Sequence, residues 1–267
     1  MASSSGGEDQ WLRVFHPRPD RELRLVCFPH AGGSATYYFP LSQSLDPRFE
    51  VAAVQYPGRQ DRRREPLVDS VPELADRIAD VLEGLHGERF AFFGHSMGAV
   101  LSFEVACRLR ERGATGPLRL IVSGRRAPSI FREGWVHLRD DAGLVAELKK
   151  VGGTDERLLA DPELLATVLP VTRNDYRAVE TYRFAGGPRL DCPVTALVGD
   201  TDPQTTVDDA AAWAEHTTGP FDLKVFPGGH FYLDAQRARV GGAVAAALGE
   251  ACRGRAGLQP VPERRAS

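Results

Sequence analysis

Cysteine is scarce in this chain: Cys27, Cys107, Cys192 and Cys252 are the only four in 267 residues. They have neither the close pairs of a zinc site nor the density of a disulfide framework, so reduced thiols are expected and no metal or cofactor is called for. An excess of positive charge is missing too. The 33 Lys and Arg against 36 Asp and Glu leave a formal charge of -3. Nucleic-acid binders carry a basic surplus, so nucleic acid is not an expected partner. No apolar run reaches the ~18 residues needed to cross a bilayer. Residues 1–10 are small and polar, unlike a basic patch followed by an apolar core, which speaks against a secretion signal. A cytoplasmic protein with no membrane association, acting as a monomer, is expected. Internal repeats are absent.

What is present is an alternation. Residues 1–10 and 253–267 are rich in Ser, Gly, Arg, Pro and Glu and read as flexible tails around a domain at 11–252. Within it, 23–28 reads as a buried strand running into the glycine-rich turn Pro29-His30-Ala31-Gly32-Gly33-Ser34. A helix is expected from about Ala35, a strand at 51–55 and a helix from about Val71, with Ser70 as N-cap and Glu73 three residues on. Further strands are expected at 90–93, 118–123, 194–198 and 223–226. Helices are expected at 99–112, 208–216 and 234–252. Strands alternating with helices call for a mainly parallel sheet covered on both faces, with ligands off the carboxyl ends of its strands. The interval 124–193 breaks the rhythm, being far longer than the roughly 2–6 residues of an ordinary connection. It looks helical: Leu144, Val145 and Leu148 share a face, Asp161-Pro162-Glu163 begins a helix, and Pro170 should kink or divide it. A helical lid over the site is expected there, with an apolar chamber drawn from Leu144, Leu148, Leu164, Leu165, Val168 and Tyr176.

The chemistry is carried by Gly94-His95-Ser96-Met97-Gly98. A Gly-x-Ser-x-Gly run between a strand and a helix puts the serine on a sharp turn and pushes its hydroxyl out at the sheet's carboxyl edge. Such a hydroxyl needs a base held by a carboxylate, and on this elbow the chain order is serine, acid, histidine. Of seven histidines, only His137, His216 and His230 follow Ser96. His137 and His216 fall where solvated surface residues are expected, whereas His230 follows the last strand. The acid should come from Gly199-Asp200-Thr201-Asp202-Pro203. Asp202 is favoured because the turn would aim it outward, while Asp200 could instead bond the turn backbone. The oxyanion of a tetrahedral intermediate would be met by the backbone N–H of Met97 and by one from the turn after the first strand, pointing to Ala31 with Gly32 beside it. His30 precedes the serine, and bracing that turn is its expected task.

Phe28-Pro29-His30-Ala31-Gly32-Gly33-Ser34, Gln55-Tyr56-Pro57-Gly58-Arg59, the serine elbow and Gly228-Gly229-His230-Phe231 together resemble the type II thioesterases, over about residues 20–250. The resemblance implies an α/β-hydrolase fold, a mainly parallel sheet with helices on both faces and a lid insertion. It also implies hydrolysis of aberrant or stalled acyl groups from the phosphopantetheine of acyl or peptidyl carrier domains in modular polyketide and nonribosomal peptide synthases. The family's acid matches Asp202. Carriers are acidic, and Arg59, Arg62, Arg63 and Arg64 form a basic cluster near the same sheet edge, where docking is expected. A small-molecule esterase or lipase would use the same triad, and a non-catalytic binding module would need a damaged site.

Overall fold

In a computed structural model of the chain, residues 10–254 are described, His86 and Asp155 excepted. The expected tails lie outside these residues apart from Gln10, Arg253 and Gly254. The strands are β1 (Leu12–Arg13), β2 (Leu23–Phe28), β3 (Phe49–Val54), β4 (Phe90–His95), β5 (Leu120–Ser123), β6 (Val194–Gly199) and β7 (Phe221–Phe226). They form one sheet in the order β1-β3-β2-β4-β5-β6-β7. Every pairing is parallel except that of β1 with β3. The inner strands β2, β3, β4 and β6 are buried along their whole length. They could therefore be read as apolar runs: strands of a parallel sheet are covered on both faces. Charge in this interior is paired across strands. Arg24 on β2 stands in register with Glu50 on β3, and its Nε donates to Glu50 Oε1 at 3.0 Å.

The helices are α1 (Phe39–Ser44), α2 (Val71–Glu83), α3 (Met97–Glu111), α4 (Asp141–Val151), α5 (Glu156–Ala160), α6 (Pro162–Thr181), α7 (Val207–Ala211), α8 (Tyr232–Ala235) and α9 (Arg237–Gly254). One face of the sheet packs on α2, α3 and Trp213, and the other on α1 and α9. The α4–α6 insertion has a small core of its own, with Val136, Leu144, Leu148 and Leu169. Caps mark the helix starts. The Ser70 hydroxyl accepts from Glu73 N–H, and Asp161 accepts from Glu163 and Leu164 N–H. Such a cap is worth about 1 kcal/mol. All four cysteines are free thiols, Cys27 and Cys192 buried, Cys107 and Cys252 half-buried.

Several expectations need correction. Pro170 does not divide α6, which is helical from Pro162 to Thr181. A proline there removes one i→i−4 bond, but buried Leu169, Val171 and Thr172 hold the turn around it. The last helix is two: Gln236 (φ −109°, ψ 26°) separates α8 from α9. The run 208–216 is α7 followed by a 3-10 turn, Ala212–His216. β1 has no counterpart in the sequence reading, because two residues cannot display a period of two.

Candidate active site

Ser96 is the N-cap of α3, directly after β4, with φ 55° and ψ −115°. Non-glycine residues rarely take positive φ, and such strain persists only where the surroundings enforce it. Here they do. Ser96 N–H donates to Ser123 O on β5 at 2.8 Å, and Ser96 O accepts from Ala99 N–H at 3.1 Å. A Cβ on Gly98 would stand 1.9 Å from Phe28 O, and one on Gly94 2.2 Å from Gly98 O. The two flanking glycines are thus required by the close approach of β2, β4 and α3, which is the physical content of the Gly-x-Ser-x-Gly pattern.

The loop after β7 carries His230, buried to 2% exposure, with Nδ1 2.8 Å from Asp202 Oδ2. Asp202 is itself buried in the loop after β6, and its Oδ1 accepts from Gln204 N–H at 2.8 Å. Asp200 is exposed and accepts from Gly228 N–H at 2.9 Å, tying the β6 loop to the β7 loop. The two carboxylates that the sequence left open therefore have separate tasks: one faces the imidazole, the other bonds the backbone. Ser96, His230 and Ala31 line one cavity of about 240 Å³. Met97, at the first position of α3, belongs to the helix end whose N–H groups have no intrahelical acceptor.

Two further histidines crowd this centre and stay neutral. His30 lies edge-on to Tyr37 and Phe231, and burial, with the nearby His230, pulls its pKa down to about 3. His95 is fully buried with Nδ1 2.9 Å from Ser123 Oγ, and burial again lowers its pKa. Ser123 Oγ is in turn 2.7 Å from the Tyr232 hydroxyl, a chain that links β4, β5 and α8 behind the serine. His137 and His216 are not solvated, contrary to expectation. His137 pairs with Glu180 at 2.5 Å, and His216 packs against Phe103, Phe184 and Trp213.

The basic cluster is also corrected. Arg59 and Arg62 are buried at 7% and 4% exposure. Arg59 makes a bidentate pair with Asp175 of α6, at 2.7 and 2.9 Å, and donates to Gly33 O at 2.9 Å. Arg62 bonds Gln55 O and Glu65 and lies over the Trp11 ring. Only Arg63 and Arg64 are exposed. Asp175 carries no local signal, being an acid inside a helical run whose partner lies 116 residues away. Its Oδ2 also accepts Gly32 N–H at 2.8 Å. The Gly32 N–H is thereby engaged, while its neighbour Ala31 lines the cavity. Removing one partner of a desolvated pair strands the other charge, at about 3–5 kcal/mol. Asp175→Ala is expected to lower the unfolding free energy by about that amount. Denaturant titration checks it, and a loss under about 1 kcal/mol, the range of exposed pairs, would contradict it. Of the residues expected to form an apolar chamber, Leu148 and Tyr176 line the cavity. Leu144 is buried in the insertion core with Leu165 against it, Leu164 is exposed, and Val168 faces a separate groove beside Arg59.

A thioesterase domain is matched over residues 23–248. A cadicidin biosynthesis thioesterase of Streptomyces griseus is 52% identical over 239 residues, 90% of this chain and 66% of that one. The solved type II thioesterase BorB, from the borrelidin biosynthetic cluster, is 49% identical with a TM-score of 0.84, over 92% of this chain and 98% of its own. The chain is a type II thioesterase. A second solved relative, YbtT from the yersiniabactin NRPS/PKS pathway, is 30% identical with a TM-score of 0.81, covering 90% of this chain and 99% of its own. The thioesterase is thus a thioester hydrolase on an α/β-hydrolase fold, and it spans just under two thirds of the Streptomyces griseus relative. No described helix of the thioesterase is long and apolar enough to cross a membrane.

Proposed function

We propose that this thioesterase removes acyl groups from the phosphopantetheine arm of carrier domains in a modular synthase, clearing aberrant or stalled chains. Ser96 is the nucleophile, His230 the base and Asp202 the orienting acid. The observation that carries the reading is the buried Asp202–His230 contact of 2.8 Å at the wall of the cavity that Ser96 also lines. His230 Nε2 takes the Ser96 proton as Oγ attacks the thioester carbonyl. The oxyanion is met by Met97 and Ala31 N–H, and the thiol leaves with the proton returned by His230. Water then repeats the sequence on the acyl-serine and releases the acid. Asp202 holds the imidazole in the required tautomer and stabilises its charged form. No metal or cofactor enters these steps. The relatives' places in borrelidin, cadicidin and yersiniabactin biosynthesis support carrier domains as partners.

An acyl group loaded on a carrier domain should be cleaved with higher kcat/KM than the same acyl group as a free oxygen ester. Preference for the ester would replace this reading with a small-molecule esterase. Of the basic cluster after β3, the exposed Arg63 and Arg64 are the members that would meet an acidic carrier. Reversing both to Glu should raise KM for acyl carrier relative to that for the small N-acetylcysteamine thioester, and should flatten its salt dependence. A ratio that does not move removes the docking role.

A further inference from the structure

The strip of chain at 131–139, where the insertion begins, presents apolar side chains to solvent. Phe131, Trp135 and Leu138 are 48%, 58% and 66% exposed. Single exposed apolar residues are ordinary on a protein surface, but several gathered on one short strip form a patch, and such patches mark interaction sites. The strip is fastened to α6 along its length. Arg183, just past the helix, lies over the Phe131 ring at 3.7 Å, and Glu180 accepts the N–H groups of Val136 and His137 at 3.0 Å each. Arg173 donates to His137 O at 3.0 Å and to Arg139 O. The strip therefore runs antiparallel to α6, with Val136 buried beneath it.

One edge of the catalytic cavity is made by this strip. Arg132, Glu133, Gly134 and Val136 line the cavity together with Ser96 and His230, so Trp135 stands at the rim between two lining residues. Charge around it is arranged with the cations outward. Arg132 and Arg139 are exposed, whereas the carboxylates that answer them at 2.6 and 3.1 Å, Asp209 and Glu147, are buried. Among the described residues Arg183 bonds the backbone oxygens of Glu180 and Tyr182, at 2.8 and 3.0 Å, and no carboxylate. Glu133 is the one acid on the strip. Tryptophan, phenylalanine and arginine are the residues enriched at the centres of protein interfaces, where they carry most of the binding energy.

We propose that Trp135 and Leu138, rimmed by Arg132, Arg139 and Arg183, form the seat on which an acidic carrier domain docks. The inference rests on the carrier reading of the site, and it adds where the partner sits. An acyl group tethered to a carrier reaches Ser96 only if the carrier stands over the mouth of the cavity, and this strip borders that mouth. An acidic domain answers the outward arginines, and an apolar face on it covers Trp135. Arg63 lines a different groove, with Thr167 and Val168 of the first half of α6, so each surface can be altered without the other.

The test presents one acyl group, propionyl, on three thiols: N-acetylcysteamine, coenzyme A and a polyketide synthase carrier domain. In Trp135→Ser, kcat/KM on the carrier should fall about 10–100-fold, mainly through KM, the span of truncating an aromatic side chain at the centre of an interface. Leu138→Ser should act in the same direction, and Arg183→Glu should flatten the salt dependence on the carrier. Both small thioesters should be cleaved as by the wild type. An equal loss on the coenzyme A thioester overturns the proposal, because Trp135 would then touch the arm rather than the domain. So does an unchanged rate on the carrier, or a loss confined to the Arg63→Glu, Arg64→Glu pair. A wild type that sediments as a dimer beside a monomeric Trp135→Ser would give the strip to a second copy of this chain and overturn it too. Should the wild type cleave the N-acetylcysteamine thioester but not the loaded carrier, the function proposed for the site fails. Calorimetric titration of the loaded carrier into Ser96→Ala, with Trp135 intact or replaced by Ser, then still decides the seat: binding that depends on Trp135 upholds it, and binding that is absent or indifferent to Trp135 removes it.

Discussion

Ser96→Ala is expected to reduce hydrolysis of acyl thioesters by about 10⁶-fold, because the attacking oxygen is lost and the remaining triad members cannot compensate. The substitution deletes one hydroxyl and leaves the strand, turn and helix in place, so the unfolding transition should survive. A second replacement separates chemistry from strain. Ser96→Gly also removes the oxygen but relieves the φ of 55° that Ser and Ala both endure. It should therefore be inactive yet more stable than Ser96→Ala by about 1–3 kcal/mol, the range for a residue held in such a backbone region. Single-turnover hydrolysis and denaturant melting read the two effects independently. A purified Ser96→Ala variant turning over near the parent rate would remove the nucleophile assignment.

Asp202→Asn is expected to lower kcat by about 10⁴-fold, since an amide at that position favours the wrong imidazole tautomer and cannot stabilise the imidazolium. Asp200→Asn should do much less. Its carboxylate bonds the Gly228 N–H, and an amide oxygen can accept the same bond. The comparison is strict because the residues are two apart in one loop and differ mainly in what they face. If Asp200→Asn proved the more damaging change, the acid would have to be reassigned.

Much of this was legible because the features are local. The elbow, the fully buried strand runs and the loops that carry Asp202 and His230 each lie within a short window, and β2, β4 and β6 fall where their apolar runs place them. Arg59 and Arg62 show where such reading stops. An arginine in a loop is exposed by default, and only the fold reveals that Asp175 of α6 or the Trp11 ring is waiting for it. The same holds for His216, whose predicted solvation gave way to an aromatic cluster drawn from Phe103, Phe184 and Trp213. Pro170 shows the opposite case: the local signal for a break did not divide α6, whose residues around the proline are buried.

The Asp175 carboxylate joins an element of the insertion to the backbone that presents Ala31. Because it grips Arg59 with both oxygens and Gly32 N–H with one of them, α6 cannot swing outward as a body without rupturing a desolvated charge pair and loosening the turn that carries Ala31. That helix behaves as a doorpost. Any widening of the approach to Ser96 would have to come from parts of the insertion outside that charge pair, while the post itself stays still.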